Sequence, residues 1–162
     1  MDADNREATG ALRTTGRRWA ALALAGAGLL TLLGSTGDWV ECSTTDCYGG
    51  LMAFSEMSGL DVGYGVVTAI AGILLSVIGI DAIRRNGISR FGTLATLLAC
   101  LVFVTVTLFV VDVYVFADES MHLWGPPAFA AFITGGGGLI ALAAALRLSL
   151  AAGSVQGPAP PV

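Results

Sequence analysis

The chain contains no lysine, a single histidine and only 12% charged side chains over its 162 residues. Each shortage excludes something. So few charges, beside 55% hydrophobic residues and a mean hydropathy of +0.78, cannot cover the surface of a soluble globule. With His122 as the only histidine, Cys42 and Cys47 lack the two further ligands that a zinc site needs, so no metal is expected. The chain also lacks the G-x-S-x-G nucleophile elbow, the H-E-x-x-H helix, the phosphate loop and the dinucleotide fingerprint. Its polar segments are too short to house a soluble catalytic domain. No catalytic residue, no cofactor and no nucleic-acid partner is therefore expected.

What is present is a set of four apolar stretches, at about 19–37, 62–83, 91–115 and 127–146. A hydrocarbon core of ~30 Å is crossed by about 20 helical residues, so each stretch is long enough to span it. All basicity rests on eight arginines, and their placement alternates. Arg6, Arg13, Arg17 and Arg18 precede the first stretch, Arg84, Arg85 and Arg90 separate the second from the third, and Arg147 closes the fourth. The other two connections hold acids instead: Asp38, Glu41, Asp46, Glu56 and Asp61 in the first, Asp118 and Glu119 in the second. Basic residues near span ends stay on the cytoplasmic side. The expected fold is thus an all-α, integral membrane four-helix bundle in the cell membrane, with both termini inside and a longer first extracytoplasmic loop. One alternative removes a span: Arg17-Arg18, an apolar run and Gly34-Ser35-Thr36-Gly37 have the layout of a cleaved signal peptide. Residues 1–18 and 148–162 are expected to be flexible cytoplasmic tails, leaving 19–147 as the transmembrane domain.

Trp19 and Trp39 stand 20 residues apart, about 30 Å of helix, which suits indoles at opposite headgroup layers with Tyr64 and Trp124 marking the outer one again. Between the first two spans, Tyr48–Met57 is amphipathic enough for a short surface helix. Ser58 or Asp61 then offers a cap for the second span. That span carries a stripe of small residues, Gly65, Ala69, Gly72, Ser76 and Gly79, and Ala71 falls off it. The fourth span has a similar series in Ala130, Thr134, Gly137, Ala141 and Ala144, around the run Gly135–Gly138. In lipid, helices associate through close backbone approach at small residues, so spans two and four are expected to pack together. Span three, bulky from Leu101 to Phe109 and holding Cys100, is expected to fill the bundle or face lipid.

Few residues offer chemistry. Cys42 and Cys47, with four residues between them in a loop assigned to the oxidising side, suit a structural disulfide, with free or reactive thiols as the alternative. Asp112 lies near the outer end of span three. It is either an interfacial carboxylate or a possible ion or proton site. Asp81 has Arg84 and Arg85 three and four residues on, the spacing of pairs within one helix. His122 sits in a short polar loop.

In its plan the chain resembles small uncharacterised four-span prokaryotic membrane proteins of the tryptophan-biosynthesis-associated kind. The residues that carry the likeness are Trp39 after span one and Ser58-Gly59-Leu60-Asp61 ahead of span two. That resemblance implies a fold but no activity. Claudin-type tetraspans are similar in their inside termini and in a first outer loop with a Trp and two Cys, yet the G-L-W element is missing here. Quinone-linked disulfide-forming oxidoreductases are also four-span bundles, but need a second outer cysteine pair that this chain lacks. The sequence reading is therefore a non-catalytic membrane protein, an accessory or scaffold whose partners are the lipid bilayer and other membrane proteins or itself. A small transporter or channel-like subunit using Asp112 is the alternative, and a membrane thiol-redox protein using Cys42 and Cys47 the third.

Overall fold

The structure is a computed structural model and describes residues 2–41, 56–61, 63–86, 91–111 and 129–153. In chain order these form helix α1 (Asp2–Thr36), strands β1 (Asp38–Glu41) and β2 (Glu56–Ser58), and helices α2 (Tyr64–Arg84), α3 (Gly92–Val111) and α4 (Phe129–Gly153). The described residues are nearly all helical. All four helices contain a segment long and apolar enough to cross a membrane: Thr14–Thr36, Tyr64–Arg84, Gly92–Val111 and Phe129–Leu150.

Two helices run beyond the expected spans. α1 starts at Asp2, inside the stretch assigned above to a flexible tail. α4 continues past Leu146 to Gly153, because Leu148–Ala152 is built of good helix formers and glycine then ends the run. The strands are an addition to the expected all-helical plan. They pair antiparallel, Val40 with Met57 and Glu41 with Glu56, with an irregularity between Asp38 and Val40. Met57 therefore lies in a strand, not in the surface helix expected there, whose other residues up to 55 lie outside the described set.

The helices form a ring in the order α1, α2, α3, α4. Close contacts pair Gly28 with Gly72 and Ser76, Thr31 with Gly137, and Gly92 with Ser149. In each pair residue numbers rise in one helix as they fall in the other, so neighbours are antiparallel. α1 is the hub, lying between α2 and α4 with more extensive packing than any other helix. This corrects the expected pairing of spans two and four. Their small residues do mediate close approach, but each meets α1. α1 brings its own small positions, Ala25 and Gly28 toward α2, and Ala27, Thr31 and Gly34 toward α4.

The larger core cluster shows the same chemistry: ten of its fifteen buried residues are alanine, so the helices meet near backbone distance instead of interleaving large side chains. Bulky residues point outward instead, as Leu29, Leu33, Ile70, Val77, Leu97, Val104, Leu108 and Phe132 are all exposed. A helix that presents apolar residues outward as well as inward suits a lipid surround.

Candidate functional site

Three regions carry the polar or closely packed residues that could matter for function: the α1–α2 and α1–α4 seams, the end of the bundle under the hairpin, and the opposite, basic end.

In the seams, all five residues of the span-two stripe are buried. They do not meet one surface. A Cβ added at Gly72 would stand 2.8 Å from the Gly28 carbonyl oxygen and 2.9 Å from the Leu32 nitrogen. At Gly79 it would stand 2.5 Å from the Ala25 nitrogen. Gly65, by contrast, abuts Gly59, beyond β2, and donates its N–H to the Gly59 carbonyl at 2.9 Å. Ala71, expected to lie away from the packing face, is 1% exposed and belongs to the core. The run Gly135–Gly138 in α4 serves two neighbours. Gly137 faces Thr31 and Ala27 of α1, while Gly135 and Gly138 face Val106 and Val102 of α3.

The seams also hold hydroxyls. Thr31, Ser35, Thr68, Ser76, Thr105 and Thr134 are buried. Thr31 Oγ1 donates to the Ala27 carbonyl at 2.9 Å, Ser35 Oγ to the Thr31 carbonyl at 2.6 Å, and Thr134 Oγ1 to the Ala130 carbonyl at 2.9 Å. Such back-bonding is how a hydroxyl is satisfied within its own helix. Two contacts cross between helices, and in the shorter of them Ser35 Oγ and Thr68 Oγ1 are 2.7 Å apart. Ser76 Oγ bonds the Gly72 carbonyl at 2.9 Å and reaches the Ala25 carbonyl of α1 at 3.4 Å.

Under the hairpin, Trp39 corrects the belt expected from sequence. It is fully buried, and its indole Nε1 donates to the Gly34 carbonyl at 2.8 Å. That carbonyl lies in the last turn of α1, where the backbone acceptors have no partner within the helix. The indole packs on Phe109 of α3 with ring centroids 4.9 Å apart, and Phe109 meets Tyr64 of α2 at 5.9 Å. Val106 and Ala131 complete this second core cluster. Trp39 is thus an aromatic wedge joining three helices at one end. Trp19, 67% exposed, keeps the outward setting expected of an interfacial indole.

Ser58-Gly59-Leu60-Asp61 closes the turn that leads from the hairpin to α2. Ser58 donates through its Oγ to Asp61 Oδ2 at 2.7 Å and through its N–H at 3.2 Å, and the Asp61 N–H donates to the Ser58 carbonyl at 3.0 Å. Neither residue caps α2, whose N-cap is Gly63 at φ 81°, without a side-chain cap. The turn consumes both side chains first. A Cβ at Gly59 would come 2.5 Å from Trp39 Nε1, so the glycine of this motif makes room for the wedge.

The opposite end collects Arg17, Arg18, Arg84, Arg85 and Arg147. Arg18 Nη2 donates to Asn86 Oδ1 at 2.8 Å, tying α1 to the turn after α2. Arg85 Nε donates to both oxygens of Asp81, at 3.0 and 2.9 Å, so Asp81 pairs within its own helix as its spacing implied.

Asp112, Cys42 and Cys47 lie outside the described residues, and the expected disulfide has no support in the structure. Val111, next to Asp112, is the last described residue of α3. Cys100 is a free thiol exposed on the outer face of α3, because Ala95, Ala99 and Val102 take the inward positions. Among the described residues, no group of three His, Cys, Asp or Glu side chains comes together.

Sequence reading missed the small positions of α1, which are scattered through an Ala/Gly-rich run, and the burial of Trp39. The signal for the second was the Gly34 and Gly59 pair that flanks the indole. In comparisons with family models, curated proteins and solved structures, none matches this chain.

Proposed function

We propose that the protein is a non-catalytic, multi-pass membrane protein that serves as an accessory or scaffold, with both termini on the cytoplasmic side. One observation carries the role. The buried polar residues among those described are all hydroxyls, and no acid or base is among them. A proton relay needs groups that titrate within the bundle, and ionisable groups mark transport when they occur at depth. Here the interior is given over to close helix contact, and the large apolar side chains face outward. That arrangement favours binding to lipid and to other membrane-embedded helices. The orientation rests on Arg17, Arg18, Arg84, Arg85 and Arg147, which lie at one end, with the hairpin at the other.

The deciding experiment uses Asp112→Asn. In reconstituted vesicles this variant of a scaffold shows the same ion and proton leak as the wild type. In native membranes it keeps the wild-type level and co-purifying membrane partners. An ion or proton flux that disappears with Asp112→Asn, in protein that remains folded, would replace the scaffold reading with the transporter one.

A further inference from the structure

We infer that the basic end of α1 and α2 forms a binding site for the headgroup of an anionic phospholipid, with Arg18 held in place by Asn86. The inference needs the membrane setting of the bundle but neither the scaffold role nor Asp112.

The placement comes first. Arg17 and Arg18 stand in the opening turns of the spanning segment Thr14–Thr36. They directly precede Trp19, whose indole is 67% exposed, the setting of an aromatic at headgroup depth. Arg84 and Arg85 stand at the end of α2. The hydrogen bond from Arg18 Nη2 to Asn86 Oδ1, 2.8 Å long, fixes the two pairs beside each other, since Asn86 directly follows Arg85. Arg18 of one helix and Arg84 and Arg85 of the next therefore come together at one turn, at the level expected for lipid phosphates.

The charge balance follows. The described acid beside Arg18, Arg84 and Arg85 is Asp81, which pairs with Arg85 at 2.9 Å. Three positive charges less one negative leave a local charge of +2 from these residues. Arg147 of α4 lies at the same end, exposed, and adds to the field without sharing the tether.

Geometry then distinguishes a site from a diffuse field. A guanidinium has five N–H donors in a planar fork, and the bond to Asn86 uses one of them. The rest of the fork is held in one orientation while still exposed. Bidentate guanidinium–phosphate contacts depend on such fixed planes. Asn86 itself adopts φ 57°, the left-handed region, and is the described non-glycine residue with positive φ. That backbone aims its amide back toward α1 instead of continuing the helix. Asparagine tolerates the conformation better than most residues, and its side chain also supplies the acceptor.

The test uses the full-length protein in vesicles of phosphatidylcholine with one-fifth phosphatidylglycerol, a mixture made by choice. Lipid carried through solubilisation is counted by native mass spectrometry. Wild-type protein is expected to retain phosphatidylglycerol above its bulk share. Arg18→Gln or Arg84→Gln should each lower its apparent affinity about fivefold, the effect of one basic residue at a membrane surface. Asn86→Gly removes no charge and suits the positive φ, yet it should weaken retention about twofold or more, by freeing Arg18. A merely electrostatic field would not respond to Asn86→Gly, so unchanged retention in that variant overturns the inference. Equal retention of both lipids by the wild type also overturns it. Circular dichroism and monodispersity of each variant show that the protein remains folded. Adding free inorganic phosphate should displace no lipid, whereas displacement at millimolar phosphate would identify a soluble-anion site and overturn the lipid assignment.

Discussion

The sharpest test of the bundle compares one substitution, glycine to alanine, at two places. At Gly79 an added Cβ would lie 2.5 Å from the Ala25 nitrogen, 2.7 Å from its Cα and 2.8 Å from its Cβ. Ordinary contact begins near 3.5 Å, so α1 and α2 must separate locally by about 1 Å. Those neighbours are backbone atoms and a first side-chain carbon, and no rotamer change moves them aside. Overpacking of this kind costs roughly 1–3 kcal/mol. At Gly136 an added Cβ meets nothing within 4 Å. Both sites are mid-helix, so both variants gain the same helix propensity, roughly 0.5–1 kcal/mol. The gain cancels in the comparison, leaving the steric cost. Gly136→Ala should match the wild type or exceed it by about 0.5–1 kcal/mol. Gly79→Ala should fall about 1–3 kcal/mol below Gly136→Ala. Reversible unfolding in mixed dodecylmaltoside–SDS micelles, followed by tryptophan fluorescence and circular dichroism, measures both. Equal midpoints would show that α1 and α2 do not meet at backbone distance and would refute the packing argument.

Five further outcomes can be measured. Gly72→Leu and Ser76→Leu should disrupt the α1–α2 seam, whereas Val77→Leu, at a position 58% exposed, should be tolerated; equal micelle stability in all three would count against the seam. Trp39→Ala should cost about 3–5 kcal/mol by emptying the space between three helices. Trp39→Phe should cost about 0.5–1.5 kcal/mol by removing the indole bond to the Gly34 carbonyl, which keeps the Gly37 N–H at 3.3 Å, and the size order of the two losses is the check. Ser35→Ala or Thr68→Val should cost about 0.6 kcal/mol, and at most about 1.7, with the double variant less than additive because the two hydroxyls share one bond. In intact cells a membrane-impermeant maleimide should reach Cys42 or Cys47 after reduction, and a reporter fused after Arg147 should be cytoplasmic; labelling confined to the cytoplasmic side would reverse the orientation. If Cys42 and Cys47 are joined, replacing both by serine should lower stability by about 2 kcal/mol at most.

The membrane class and the helix count were legible because they depend on length and hydropathy along the chain. Thr14–Thr36, Tyr64–Arg84, Gly92–Val111 and Phe129–Leu150 overlap the expected spans closely, since the thickness of the hydrocarbon core sets one scale for all of them. The Asp81–Arg85 pair was legible for a similar reason, as helical spacing alone brings the two together. The candidate site was less so. The span-two stripe did turn inward, but Ala71 did as well, because α2 is flanked by α3 as well as by α1 and buries a wider face than the stripe covers. Trp39 looked like an interfacial indole by its distance from Trp19, and only the packing of Phe109 and the bond to the Gly34 carbonyl make it part of the core.

The sequence by itself determined that four apolar helices of spanning length exist and that their arginines alternate between connections. Tertiary structure alone decided that α1 is the hub, that α2 and α4 turn their small residues to it and not to each other, and that Trp39 wedges under the hairpin. The physical reason is the solvent. In water, a polar face and an apolar face tell a helix which side is inside. In lipid, both sides of α2 and α4 are apolar, and the inward face is whichever one finds a partner surface small enough for the backbones to touch.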